Sequence, residues 1–261
     1  MDLVEASGKT VISRHPWEQA RLSVLKKLIS KHVSLSGRST VLDIGCGDTY
    51  VVENLAITYP DTIFYAVDTA FTPELIEKYR KNLKVKNVQL FQTLDELPEM
   101  KREKATLVVL TDVIEHIEDD KKFLTELNRR TVIDDKTLFL ITVPAYQSLF
   151  CSHDTFLGHY RRYTNGLLKK NLIESGMKII SVGYFFASLL PLRTLQVLKE
   201  KIGGMDRKQI STGLVQWEGG NSLEGIFRQF LITDANLSFF LKRLGINFPG
   251  LSNYAICRRS A

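Results

Sequence analysis

A short apolar run, Val41-Leu42-Asp43-Ile44, hands over to Gly45-Cys46-Gly47-Asp48. The run has the make-up of a parallel strand buried on both faces. Two glycines at spacing two let the backbone take positive φ and leave room for a ligand where a Cβ would clash. A chain built around such a turn is committed to a helix-covered sheet. Its ligand, of nucleotide type, binds outside the carboxyl ends of the strands.

The rest of the chain supplies the partners that this strand needs. After a loose arm at residues 1–13, Ala20, Val24, Leu25, Leu28 and Ile29 recur at helical spacing and predict a helix from about Trp17 to His32. Strands are expected at Thr40–Ile44, Thr62–Val67, Val88–Gln92, Thr106–Leu110 and Thr137–Val143. Helices are expected at Tyr50–Tyr59, Pro73–Asn82 and Asp120–Thr131. Past Pro144 the rhythm breaks, and Tyr146–Thr164 is irregular and dense in His, Asp, Arg and aromatics. A helix at Leu167–Ser175 and a strand at Met177–Phe185 resume the pattern. A long Leu- and Phe-rich, mostly helical connection then leads to a last strand at Asn253–Arg258. The prediction is one α/β domain over residues 1–261, with a doubly wound, mostly parallel seven-stranded sheet. An arm and helix fill residues 1–35, and a helical cap at 187–250 is inserted before the last strand.

Bulk properties exclude several classes. No apolar run reaches the roughly 18 residues of a membrane span, and the start, MDLVEASGKT, lacks the basic-then-apolar pattern of a signal peptide. A cytoplasmic location is the expectation, with peripheral contact at a membrane surface left open. Cys46, Cys151 and Cys257 are odd in number and far apart, which argues against a disulfide framework and a zinc site. A net charge of +6 suits an anionic partner without naming one.

The glycine turn also discriminates between ligands. A dinucleotide fingerprint wants a third glycine three residues after the second, and that position is Tyr50. The strand ending at Val67 is followed by Asp68, an acid placed to accept both hydroxyls of a ribose, with Thr69 beside it. Asp43 lies beside the turn, where it can face a cationic ligand group. The pair indicates an adenosine-type ligand without a pyrophosphate.

On these residues the chain resembles the class I S-adenosylmethionine-dependent methyltransferases. Val41–Asp48 is similar to their first motif, Tyr65-Ala66-Val67-Asp68 to their second, and Thr106–Ile117 to their fourth-strand segment. The resemblance covers roughly residues 12 to 186 and the last strand. It implies a Rossmann-like methyltransferase fold and S-adenosylmethionine as cofactor. It also implies a cofactor site at Asp43, Gly45, Cys46, Gly47, Asp68 and Thr69, with backbone contacts at Thr111 and Asp112. Cys46 is read there as a small filler, not a nucleophile. Many relatives hold the adenine amine with an acid after the third strand. That place falls here at Thr93 or Leu94, so backbone groups and a hydroxyl are expected instead. Arg21, in an arginine- and aromatic-rich N-terminal segment, is expected to pair with the methionyl carboxylate.

Three constellations bear on the chemistry. Asp112, Glu115 and His116 would meet on one helical turn and could bind a divalent cation. The pattern is similar to the metal-binding turn of small-RNA 2′-O-methyltransferases and ubiquinone-pathway O-methyltransferases. Those carry Glu where this chain has the shorter Asp112, so the metal is kept outside the main expectation. In Ser152–Thr164, His153 and His159 are candidate bases, with His116 as a third. Arg161, Arg162 and Tyr163 are candidate substrate contacts. The apolar segment Tyr184–Arg193 offers a greasy pocket, a membrane-surface contact or plain core packing.

The expected function is S-adenosylmethionine-dependent O-methylation of a small-molecule or lipid-linked acceptor. One rival is a metal-dependent RNA 2′-O-methyltransferase, but nucleic acid is not an expected partner because no recognisable RNA-binding module is present. A second rival is a non-catalytic cofactor-binding protein.

Overall fold

The computed structural model describes residues 14–97, 104–203 and 221–260. The loose arm assigned to residues 1–13 lies outside the described residues, as does part of the cap. In chain order the main elements are α1 (Pro16–His32), β1 (Thr40–Ile44), α2 (Tyr50–Thr58), β2 (Ile63–Val67), α3 (Pro73–Asn82), β3 (Val88–Phe91), β4 (Leu107–Thr111), α4 (Asp120–Asn128), β5 (Leu138–Pro144), α5 (Ser152–Phe156), α6 (Asn165–Glu174), β6 (Met177–Phe185), α7 (Leu190–Gly203), α8 (Asn221–Arg243) and β7 (Ser252–Arg259).

The sheet has seven strands in the order β3-β2-β1-β4-β5-β7-β6. β1 to β5 pair in parallel, and β7 runs antiparallel between β5 and β6. The order reverses beside β1, so the glycine turn opens into the crevice where such sheets bind ligands. All five residues of β1 are buried, as an inner strand covered on both sides requires. The two faces alternate along each strand. Val41, Leu107, Val109, Leu140 and Ile256 pack with α1, α2 and α8. Leu42, Val108, Leu110, Phe139, Ile141 and Cys257 pack with α4 and α6.

The termini of the helices are set locally. His15 accepts from the Trp17 amide while the Glu18 carboxylate accepts from the His15 amide, and Pro16 opens α1. Thr164 caps α6 by accepting from the Leu167 amide, so that helix starts two residues before its predicted start. The expected α4 runs to Thr131, but the helix stops at Asn128. The buried Asn128 amide donates to the Ser175 and Gly176 carbonyls, fixing the end of α4 against the end of α6.

The two cap helices lie against different parts of the fold. α8 lies along α1 and β6, on one face of the sheet, while α7 reaches the irregular loop after β5. The apolar segment 184–193 divides as well. Phe185 and Phe186 are fully buried, with Phe186 packed against Trp17, whereas Leu192 is exposed. No helix among the described residues is long and apolar enough to cross a membrane.

Gly250 precedes β7 where the chain crosses the end of β6. A Cβ there would overlap the backbone of Phe185, with the carbonyl carbon at 2.7 Å. Backbone at a strand end cannot rotate away as a side chain can. Gly250→Ala is expected to destabilise the fold by roughly 1–3 kcal/mol, the usual cost of overpacking. Thermal unfolding reads this, and an unchanged midpoint would show that the crossing is looser than described.

Candidate active site

The carboxyl ends of β1, β2 and β4 build one half of the site. The Gly45 and Cys46 amides donate to the Val67 carbonyl at 2.8 and 3.3 Å, which pins the turn to the end of β2. Gly45 has φ of 68° and a Cβ there would lie 2.6 Å from Val113 Cγ2. The turn thus closes against the segment after β4 and admits no side chain at that point. Asp68 accepts from the Gly47 amide at 2.8 Å and the Ala70 amide at 3.0 Å. It is half-buried, with Thr69 exposed beside it. Burial drives the Cys46 thiol well above its ordinary pKa, which leaves it a neutral packing atom.

Asp43 is fully buried and, among the described residues, neither carboxylate oxygen has a hydrogen-bond partner. Burial, reinforced by Asp68, pushes its pKa to about 7. An orphaned carboxyl beside a glycine turn is what a ligand with a cationic group needs. By that test the residues fit an aminoacyl-adenosine ligand. Arg14, in the same arginine- and aromatic-rich N-terminal segment as Arg21, clamps the turn from the N-terminal side. It pairs with Asp48 at 2.5 Å and lies over the Tyr50 ring at 4.2 Å. The short spacing between Arg14 and Trp17 was the signal, but nothing in it pointed to Asp48.

Other predicted cofactor residues are placed as follows. Thr93 and Leu94 follow β3, where Thr93 donates to Glu96 and Leu94 packs on the core. Asp95 is exposed and paired with Arg130. Thr111 ends β4. Arg21 pairs with Asp112 at 2.7 Å and donates to Thr142 at 3.1 Å. Its charge goes to this internal pair, which a methionyl carboxylate would have to share or displace.

The other half of the site forms between the turn after β4 and the loop after β5. Asp112 does not join Glu115 and His116, as the helical-turn spacing suggests. It takes φ of 56°, turns to Arg21 and Thr142, and leaves a 3₁₀ turn to begin at Ile114. His159 takes the place expected of Asp112. Glu115, His116 and His159 offer one oxygen and two nitrogens within 4.8 Å of one another, and the two imidazoles meet edge to face at 4.6 Å. The loop is tied here because the Tyr160 amide donates to the Glu115 carbonyl at 2.8 Å. Glu115 is fully buried with both oxygens unpartnered among the described residues, and burial and Asp112 raise its pKa well above the ordinary range.

His159 is oriented by Asp154, whose Oδ1 lies 2.8 Å from Nδ1. Asp154 is fully buried and also meets Arg162 Nε at 2.8 Å, Arg193 Nη2 at 3.0 Å and the Cys151 amide at 2.9 Å. Burial opposes its charge, but the His159 and Arg162 contacts outweigh that and hold its pKa well below the carboxylate range. His153 lies on α5, outside the trio. Burial and Arg193 lower its pKa to about 4, so it is uncharged at neutral pH.

Two of the three candidate substrate contacts are buried, and Arg161 is half-buried. Arg162 is 5% exposed and Tyr163 0%. Arg162 is held by Asp154, and the Tyr163 hydroxyl donates to Asp120 at 2.7 Å. Both brace the loop from within. Arg161 pairs with the same Asp120 at 2.9 Å and donates to the Glu118 carbonyl.

A family model for a methyltransferase domain matches residues 17–184. No curated protein matches the sequence. Among solved structures, the chain is similar to the [4+2]-cyclase SpnF at 13% identity and TM-score 0.57, covering 97% of this chain and 85% of that one. It is similar at 14% identity and TM-score 0.56 to a chain solved in complex with the Haloferax volcanii Trm112 methyltransferase activator, covering 93% and 91%. A third, the mycolic acid cyclopropane synthase CmaA1 complexed with SAH and CTAB, matches at 14% identity and TM-score 0.53, covering 95% and 90%. At these identities the likeness establishes the fold.

Two outcomes follow from the buried acids. Asp154→Asn leaves buried cations without their counter-charge and is expected to destabilise the protein by about 3–5 kcal/mol in urea unfolding. A loss under 1 kcal/mol would mean that the cluster is hydrated. Asp43 behaves oppositely, because its carboxyl is raised in the folded protein. Its contribution is complete below the ordinary value of about 3.9 and is lost as pH rises through about 7. Ligand-free Asp43→Asn should therefore keep, from about pH 4 to 7, the stability that the native protein loses there. Parallel stability curves for the two proteins would contradict this.

Proposed function

The chain belongs to the methyltransferase-domain family whose model spans residues 17–184, and on that premise we propose that it methylates an oxygen of a small or lipid-linked acceptor. S-adenosylmethionine, when bound, supplies an electrophilic methyl group on a sulfonium. The residues at the carboxyl edge divide the remaining work. The glycine turn and Asp68 suit the adenosine, and the orphaned Asp43 suits the ammonium of the methionyl part. Binding there would ionise Asp43 and compensate its burial.

The observation that carries O-transfer is the contact of 2.8 Å between His159 and Asp154. The carboxylate fixes which imidazole nitrogen holds the proton and leaves the other free to accept one. The His159 ring stands in the cluster with Glu115 and His116, at the end of β4 and close in sequence to Val113, which closes the glycine turn. A hydroxyl acceptor bound there loses its proton to His159 as its oxygen attacks in line. Asp154 then stabilises the imidazolium. Amine acceptors need no such base, and so the dyad favours oxygen.

The same trio supports a second reading. A buried carboxylate and two imidazoles, one of them held from behind by a carboxylate, suit a divalent cation. Glu115, His116 and His159 would hold it, and it would lower the pKa of an acceptor hydroxyl. This favours metal dependence without favouring RNA as the acceptor.

Labelled-methyl transfer to phenolic, sugar and lipid-extract acceptors tests the main reading. His159→Gln is expected to lower turnover roughly 100- to 10,000-fold, with S-adenosylmethionine affinity by calorimetry kept within about twofold. Gly45→Val should abolish that binding altogether. Unchanged turnover in His159→Gln, or labelling of nitrogen acceptors alone, would overturn the proposal. A chelator separates the two readings: activity persists if His159 is the base and disappears if a cation is required.

A further inference from the structure

The two cap helices carry apolar surface outward as well as inward. On α7, Leu192, Leu195, Leu198 and Ile202 lie on one face and are exposed, Ile202 by 85%. The opposite face buries Arg193 and Val197. On α8, Leu223, Ile226, Phe230, Leu237 and Phe240 form a second exposed stripe at spacings of three, four and seven. Leu231, Ala235 and Ser238, on its other side, pack inward. Leu244, Ile246 and Phe248 extend exposed apolar surface into the loop that enters β7 at the carboxyl end of β5. Apolar stripes exposed on this scale mark interaction surfaces.

The charges on these helices are sorted by sign. Lys199 and Lys201 on α7 and Arg228 and Arg243 on α8 are exposed. The acids are half-buried and engaged inward. Glu200 accepts from the Ser152 hydroxyl and amide, Glu224 from Gln19, and Asp234 from the Ser188 hydroxyl and amide. Every exposed charged side chain described on the two helices is therefore a cation. A chain of net charge +6 presents here apolar stripes with cationic flanks and no anionic ones.

We infer that the cap docks on an anionic lipid surface, with the α7 and α8 stripes in the headgroup boundary and the four cations over lipid phosphates. A second copy of the chain is the weaker occupant, since self-pairing would bring like charges together. A bilayer supplies the missing negative charge and accepts two separate stripes without needing a matched groove. This deepens the lipid-linked reading of the acceptor, on which it rests only for its biological sense. α7 connects the surface to the site, for Arg193 on its buried face holds Asp154 behind His159.

Sedimentation with phosphatidylcholine vesicles, with and without phosphatidylglycerol, tests the inference on the full chain. The native protein should sediment with the anionic vesicles and far less with the neutral ones. Lys199→Gln with Lys201→Gln, and separately Leu195→Ser with Phe230→Ser, should each weaken partition on the order of tenfold or more. All four positions are exposed, so S-adenosylmethionine binding by calorimetry should be unchanged. Equal partition on both vesicles, or variants that sediment like the native chain, would overturn the proposal. So would a dimer in sedimentation equilibrium that the Leu195–Phe230 variant dissociates, with no vesicle binding. A native protein that binds S-adenosylmethionine but not the anionic vesicles would sink the docking surface alone. The reverse pattern would sink the methyltransferase reading alone.

Discussion

Asp154 is the point through which the acceptor side of the molecule is assembled. Its carboxylate is fully buried and meets His159, Arg162 and Arg193. These residues come from the loop end, the segment bridging to β5, and the cap helix α7. No apolar packing could fix them so specifically, because a buried charge tolerates few arrangements of its partners. Once Asp154 is in place, His159 has one orientation, Arg162 turns inward, and α7 has one docking position. Asp120 does similar work a turn away, gathering Arg161, Tyr163 and Asn171.

Two other acids at the same edge have no hydrogen-bond partner among the described residues. Asp43 and Glu115 are fully buried, and burial raises both their pKa values. The contrast is informative because all of these acids lie near the carboxyl ends of neighbouring strands. Where the fold needs a fixed charge, it surrounds the carboxylate with donors. Where a ligand or ion is to arrive, the carboxyl is buried and left open, at a cost to the free protein. The cofactor side and the acceptor side each carry one such group.

The sheet and the cofactor half were legible in the sequence because their signals are local. Asp43, Gly45, Gly47 and Asp68 lie on two successive strand ends, and parallel pairing of β1 with β2 follows from the intervening helix. The acceptor half was only partly legible. His159 meets Glu115 across the fold, through a hydrogen bond between Tyr160 and Glu115 that no spacing announces. Asp112 was grouped with Glu115 and His116 because three- and four-residue spacing implies a helical turn. Its positive φ breaks that turn and sends it to Arg21. Arg162 and Tyr163 looked like substrate contacts because charge and aromatics in a loop suggest a surface. The buried Asp154 and Asp120 that attract them inward are visible only once the loop is folded.

α7 shows why the two ends of the cap should be considered together. One face presents Arg193 to Asp154, and the other presents Leu192, Leu195 and Ile202 to solvent. The helix also holds the loop directly, since Glu200 accepts from Ser152 at the start of α5. Its 14 residues span about 21 Å, so one helix carries both contacts. Anything that covers its outer face and tilts it must shift Arg193 and Glu200 together. Those two contacts bear on α5 and on Asp154, and through Asp154 on the imidazole of His159. The orientation of His159, the proposed base, is thus set from the surface of the cap as well as from the sheet.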